Sequence, residues 1–271
     1  MKFFNLKWFI PCLCLLVFGC TQKMANLNPV KENMEMSNLD VNWNKVDSIL
    51  ALMTLSEKLG QLQQLDGGIS KNELPKLIEQ GKVGSVLNEV NPELVTKYQK
   101  IALEKSRLGI PLLIGRDVIH GFRTMFPIPL AQSASWNMDL IKEGAKIAAK
   151  EASAIGINWT FAPMIDIGRD PRWGRVAESP GEDSYLTSEV GVAMIKGFQG
   201  KGHFPDGNIA ACAKHFAAYG MAEGGRDYNT AIVGERQLRE IYLRPFLAAV
   251  ENDVVSFMLS LIHISEPTRP Y

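Results

Sequence analysis

Apolar and polar positions along the chain alternate between two periods. Thr54 and Glu57 have capping-box spacing ahead of a helix over about 56–64. A second helix over about 72–80 leads into the strand-like run "VGSVLN" at 83–88. "NPELVTKYQKIALEKSRLG" places Pro92 at a helix start and Gly109 past its end, and the strand "IPLLIGRD" follows. The third unit pairs a helix over about 138–154, with Gly156 as its C-cap, with the strand "INWTFAPMID". A helix over about 185–199 precedes "NIAACAKHF", and one from Glu235, interrupted at Pro245, precedes "VVSFM". The pattern predicts five strands, each following a helix.

Helix and strand in strict alternation imply a parallel sheet with right-handed crossovers, either an open doubly wound sheet or a (β/α)8 barrel. A dinucleotide-binding open sheet carries a Gly-rich turn after its first strand, and neither GxGxxG nor GxxxxGK[ST] occurs here. Polar residues stand instead at the C-terminal ends of the strands: Asn88 and Glu89, Arg116 and Asp117, Asp166, Lys214 and His215. A barrel gathers such positions at one mouth. The fold class expected is therefore α/β, a (β/α)8 TIM-barrel type truncated after about five β/α units.

Composition narrows the function. With 29 Lys plus Arg against 29 Asp plus Glu, net charge gives no reason to expect a nucleic acid or other polyanion as partner. His120 and His203 lack ligand spacing, so neither a metal nor a cofactor is expected. The first twenty residues differ from the rest: Lys2 and Lys7 precede an apolar run from Trp8 to Phe18, too short to span a bilayer comfortably and shaped like an export signal. Its end, "VFGC", resembles a bacterial lipobox, which implies lipidation of Cys20 and attachment to a membrane through that anchor. Removal of the signal leaves Cys20 and Cys212, too few for an internal disulfide with a lipidated Cys20, and Cys212 in an apolar strand reads as a core residue. Residues 21–42, polar and rich in Asn and Met, read as a tether.

"GRDVIHG", "FAPMIDIGRDPRWGRVAESPGED" and "KHFAAYG" resemble the N-terminal barrel motifs of glycoside hydrolase family 3, the β-glucosidase and β-xylosidase family, over about residues 43–258. The resemblance implies a periplasmic or outer-membrane, exo-acting, retaining β-glycosidase. It would remove the non-reducing terminal sugar from an oligosaccharide or an aryl or alkyl β-glycoside. It assigns Asp117, Arg175, Lys214 and His215 to the pocket for that sugar. A carboxylate such as Asp117 accepts hydrogen bonds from two hydroxyls at once. Arg175 would hold Asp117 ionised and also donate to hydroxyls, and Lys214 and His215 would donate to hydroxyls beside the reacting carbon. "KHFAAYG" lacks the second His of the "KHFPGHG" form found in the family's N-acetylglucosaminidases, which favours a glucosidase or xylosidase.

A retaining reaction needs two carboxyl groups about 5 Å apart. By the same resemblance the nucleophile belongs to an "SDW"-like motif and the acid/base to a region farther on, so no residue of this chain is expected to be catalytic. After "VVSFM" the text departs from the family pattern, and residues 259–271, "LSLIHISEPTRPY", read as an aberrant tail. Two other functions fit parts of the pattern: an aldolase-like barrel forming a Schiff base on Lys214, and a non-catalytic sugar-binding lipoprotein. Trp173 reads as loop core, and Arg169 and Arg172 as struts pairing with Asp170, Glu182 or Asp183. One local question remains open. Neighbours in a strand point to opposite faces, so Lys214 and His215 can both serve one pocket only if a bulge or an irregular peptide unit breaks the alternation.

Overall fold

The computed structural model of the chain describes residues 42–68, 72–201 and 207–259. Cys20, the export-signal segment, the tether up to residue 41, His203 and residues 260–271 of the expected tail lie outside the described residues.

The described residues open with two helices, α1 (Trp43–Leu52) and α2 (Leu55–Gln61), followed by β1 (Gln64–Asp66), α3 (Leu74–Glu79) and β2 (Ser85–Leu87). Then come α4 (Pro92–Glu104), β3 (Leu113–Arg116), α5 (Pro129–Ser133), α6 (Met138–Ser153), β4 (Trp159–Thr160) and α7 (Ser184–Gln199). The order continues with β5 (Cys212–Phe216), α8 (Glu235–Gln237), a π-helical segment at Leu238–Tyr242, α9 (Arg244–Glu251) and β6 (Ser256–Leu259).

Helices α2, α4, α6 and α7 start where a short polar side chain satisfies one or more of their first free N–H groups. Thr54 and Glu57 form a reciprocal capping box on α2. Asn91 accepts from Glu93 and Leu94 on α4, Asn137 from Leu140 on α6, and Asp183 from Leu186 on α7. Gly156, past the end of α6, has φ +92°, and a Cβ there would meet Val95 Cγ1 at 2.5 Å, so only glycine fits the turn into β4.

The described strands are parallel and follow one another in space in chain order. β1, β2, β3 and β4 form one ladder and β5 pairs with β6. Bridges Trp159↔Ala210 and Met164↔Lys214, with Cys212 N donating to Ala162 O at 2.9 Å, join the two sets. That is the strand succession of a barrel rather than of a sheet wound both ways from its middle. There are six described strands where the apolar pattern predicts five. β1 escapes because it is three residues, Gln-Leu-Asp, without an apolar run, and is partly exposed at an edge.

The main core lies between the sheet and its helices. It includes Leu74, Ile78, Val86, Tyr98, Ile114, Ala148, Ile165, Val190, Phe198 and Phe246. Cys212 is buried as well, but it stands between Ala211 and Ala213, which belong to this layer, and so faces the other side of β5. Gly197 on α7 sits so close to α6 that a Cβ would meet Lys142 O at 2.4 Å. Among the described residues, no helix is long and apolar enough to cross a membrane.

Candidate active site

The C-terminal ends of the strands carry a connected row of polar side chains. Asn88, just past β2, donates to Asp66 Oδ2 at the tip of β1 (3.0 Å) and accepts from Arg116 Nη1 at the tip of β3 (2.9 Å). Asp117 follows Arg116 directly, half-exposed, and its Oδ1 accepts from Lys214 Nζ at 2.6 Å across 97 residues of sequence. The lysine end of this pair is nearly sealed: its side chain is 4% exposed against 49% for Asp117.

Lys214 and His215 both turn away from solvent, at 3% and 2% exposure. The register of β5 against β6 explains how neighbours can do so. Lys214 aligns with Met258 and Phe216 with Leu259, so β5 advances two residues while β6 advances one. His215 is the extra residue of a bulge, and the alternation of faces is lost there. The Lys214–His215 peptide is cis. Phe216 emerges on the other side, 40% exposed, edge-on to Phe246.

His215 meets three groups. Its backbone N–H and its ring Nδ1 both lie on Asp166 Oδ2, at 2.9 and 2.8 Å, and its Nε2 is 3.4 Å from Arg175 Nη1. Its ring also packs edge-on against Tyr219, with centroids 4.8 Å apart.

Arg175 does not contact Asp117 as expected from sequence. Its fork closes on Glu178, Nε to Oε1 at 2.7 Å and Nη2 to Oε2 at 2.8 Å, while Nη1 faces His215 and the Tyr219 hydroxyl (3.5 Å). The reason is local. Arg175 caps the 3₁₀ turn Val176–Glu178, which returns a carboxylate to its own guanidinium three residues on. Lys214 is what pairs with Asp117. Burial pushes the Glu178 carboxyl up, but the Arg175 fork outweighs it, helped by the charge of Lys214, and holds it below the usual carboxylate range. Glu178 in turn raises the guanidinium's already high pKa.

Behind Arg175 stands an aromatic support. Trp173 is fully buried, edge-on to Tyr219 at 5.3 Å, and its Nε1–H donates to Asp227 Oδ1 at 3.0 Å. This is the loop core its sequence context suggests. Burial and the hydrogen bond with Asp227 raise the Tyr219 phenol above its ordinary value. Arg172 pairs with Asp170 at 2.6 Å, one of the partners expected for it, and Asp183 is instead the N-cap of α7. Ser179 Oγ donates to Asp166 O at 2.6 Å, and Gly168 N donates to Gly181 O at 3.0 Å; together they tie the two ends of the 167–183 loop to each other.

The four residues expected at the pocket thus come together at one mouth: Asp117 on Lys214, His215 on Arg175. Glu178, Tyr219 and Asp227 complete the cluster, and sequence reasoning misses all three. The spacing of Glu178, three residues after Arg175 in a turn-rich loop, is the one local signal that points to it. Among the described residues no group of three or more His, Cys, Asp or Glu is arranged to hold a metal ion.

Comparison with known proteins agrees with this architecture. The glycosyl hydrolase family 3 N terminal domain matches residues 54–269. A periplasmic beta-glucosidase of Salmonella typhimurium is 40% identical over 218 residues, covering 80% of this chain and 28% of that protein. A beta-xylosidase of Formosa agariphila is 37% identical over 184 residues, covering 63% and 25%. The crystal structure of a beta-glucosidase from Listeria innocua in complex with glucose superposes with TM-score 0.74 at 40% identity, covering 81% of this chain and 33% of that one. The chain therefore spans about a third or less of the length of these relatives. The six parallel strands in chain order are part of a TIM-barrel-type fold, and the chain belongs to glycosyl hydrolase family 3.

Proposed function

We propose that this chain supplies the pocket for the non-reducing terminal sugar in an exo-acting, retaining β-glycosidase of the β-glucosidase or β-xylosidase type. The observation that carries the reading is the convergence of Asp117, Arg175, Lys214 and His215 on one mouth, with Lys214 Nζ 2.6 Å from Asp117. The relatives support the substrate class. Listeria innocua beta-glucosidase has been crystallised in complex with glucose, and a mutant of that enzyme in complex with laminaribiose.

In this reading Asp117 keeps one carboxylate oxygen on Lys214 and uses the other, with the remaining lone pairs, to accept from adjacent sugar hydroxyls. The Lys214 ammonium keeps N–H bonds for a hydroxyl beside them, and Arg175 offers the guanidinium N–H that Glu178, His215 and Tyr219 leave free. These contacts hold the sugar ring, and any that tighten as the anomeric carbon gains charge lower the barrier. No residue of this chain is assigned the role of nucleophile or of acid/base. The test is titration of glucose and of xylose into the full chain, followed by magnetisation transfer to sugar protons. Binding of either that Asp117→Asn weakens about tenfold, the scale of one charged hydrogen bond, supports the pocket; no binding of either sugar refutes it.

The export-type segment and the name of the Salmonella typhimurium relative support placing the mature protein outside the cytoplasm. The "VFGC" text further supports a lipid on Cys20. Cys20→Ser should then move the protein from the membrane to the soluble fraction of an expressing bacterium. Unchanged fractionation would remove that part of the proposal.

A further inference from the structure

Asp166 belongs to none of the roles assigned so far, yet it is the most deeply buried charged group of the cluster, with a side chain of 0% exposure. It lies just beyond β4, where Ile165 N donates to Lys214 O at 2.8 Å and draws this segment alongside β5. Its carboxylate is committed to one residue. Oδ2 takes both the backbone N–H and the ring Nδ1 of His215, while Oδ1 has no hydrogen-bond partner among the described residues.

The two ends of the imidazole make complementary demands. A carboxylate only accepts, so its 2.8 Å contact with Nδ1 requires the proton on Nδ1. A guanidinium only donates, so the 3.4 Å contact of Arg175 Nη1 with Nε2 requires a lone pair on Nε2. The neutral Nδ1–H tautomer satisfies both. The Nε2–H tautomer satisfies neither, and the doubly protonated ring sets an N–H against the guanidinium. Which nitrogen bears the proton is set by what the other one meets.

From this geometry we infer that Asp166 is a positioning residue: it locks His215 in the Nδ1–H tautomer, so that Nε2 is an acceptor that helps seat the Arg175 guanidinium. Glu178 grips the other edge of Arg175 and Tyr219 lies under it, 5.4 Å from ring centroid to guanidinium carbon. The four groups form a chain, Asp166 to His215 to Arg175 to Glu178, in which donor and acceptor alternate. This removes the donor role expected for His215 from sequence: its one N–H goes to Asp166 and the single lone pair of Nε2 to Arg175.

The inference rests on the sugar-pocket reading only for its consequence, so the test has two separate readouts. The first is the long-range ¹H–¹⁵N imidazole spectrum of the ¹⁵N-labelled full chain near neutral pH, with His215 assigned by its loss in His215→Gln. Nδ1 should show the shift of a protonated nitrogen and Nε2 that of an unprotonated one; a proton on Nε2 overturns the inference whether or not any sugar binds. Asp166→Asn can keep an acceptor oxygen on both His215 N–H groups and should preserve this tautomer. Asp166→Leu, similar in size and without an acceptor, should release it.

The second readout is glucose affinity, expected within about threefold of the parent for Asp166→Asn and about tenfold weaker for Asp166→Leu. An Asp166→Leu variant that folds and keeps both the tautomer and the affinity overturns the inference. Should that variant not fold, the parent and Asp166→Asn spectra still decide. A parent chain that shows the Nδ1–H tautomer but no glucose binding would refute the sugar reading and leave the positioning role of Asp166 standing.

Discussion

Removing Asp117 strands a buried charge, and the asymmetry of its pair with Lys214 sets the size of the effect. Lys214 is 4% exposed at its side chain, and Asp117 is the only hydrogen-bonding partner found for its Nζ among the described residues. Breaking a fully buried pair from one side costs about 3 to 5 kcal/mol, because the remaining charge is left uncompensated. An exposed pair is worth about 1 kcal/mol or less. With one partner sealed and the other 49% exposed, Asp117→Ala should fall between these limits, at about 1 to 3 kcal/mol. The flexible stem lets the ammonium reach toward the space vacated by the carboxylate, which keeps the value off the upper limit.

Asp117→Asn retains an acceptor oxygen for Nζ and should lose about 1 kcal/mol. The informative variant is the double one. Asp117→Ala with Lys214→Met removes the stranded charge while keeping most of the stem's packing, so it should recover at least half of the loss. Urea denaturation of the full chain, followed by far-ultraviolet circular dichroism, yields all four corners of the cycle. A double variant no more stable than Asp117→Ala alone would refute the argument from stranded charge. So would an Asp117→Ala variant as stable as the parent.

Other perturbations test the frame around the site. Gly197→Ala places a methyl 2.4 Å from Lys142 O and 2.6 Å from Ala145 Cβ, so thermal unfolding should show a loss of about 1 to 3 kcal/mol from overpacking α6 against α7. Trp173→Ala empties a fully buried site and should cost about 3 to 5 kcal/mol, whereas Arg172→Ala, on a solvent-screened pair, should leave stability close to the parent's; equal losses from the two would contradict the placement of Trp173 as loop core. The Arg107 fork, with the Thr54 cap, holds the Glu57 carboxyl down at about 2 from its ordinary 4.5. A depressed carboxyl stabilises fully above its unfolded value and loses that contribution as pH falls through 4.5 toward 2. Glu57→Gln should therefore flatten the fall of Tm with pH in that window, and an unchanged acid limb would count against the ion pair.

The elements legible in the sequence are those where a local signal and the tertiary result coincide. Thr54, with Glu57 at capping-box spacing, and Pro92, in the first turn of α4, each stand where the sequence pattern starts a helix, whereas Asp183, read from sequence as an ion-pair partner, is the N-cap of α7. Pro245, an interruption in the sequence pattern, falls in the first turn of α9, where its missing N–H costs nothing. β1 and α5 are illegible for different reasons. β1 is held by ladder bonds to β2 and by one apolar side chain, Leu65, on the core, which is too little to show a period, and α5 is five residues of Pro-Leu-Ala-Gln-Ser, also too short for one.

The site divides along the same line. Asp117, Lys214 and His215 end strands, and in a parallel barrel the strand ends converge, so their meeting follows from the topology once the alternation of helix and strand is recognised. Arg175 lies in a loop, where topology fixes only the anchor points. Its expected partner, Asp117, is the wrong one, because a turn that brings Glu178 back onto the guanidinium wins over a more distant carboxylate. What sequence can pose but not answer is how two adjacent strand residues serve one mouth. The answer depends on β6, which advances one residue where β5 advances two. That slip puts Lys214 against Asp117 on one side and His215 against Asp166 and Arg175 on the other. Both carboxylates therefore sit at the ends of earlier strands, one beside β3 and one beyond β4, and the bulge is the step that lets a single strand address the two of them at once.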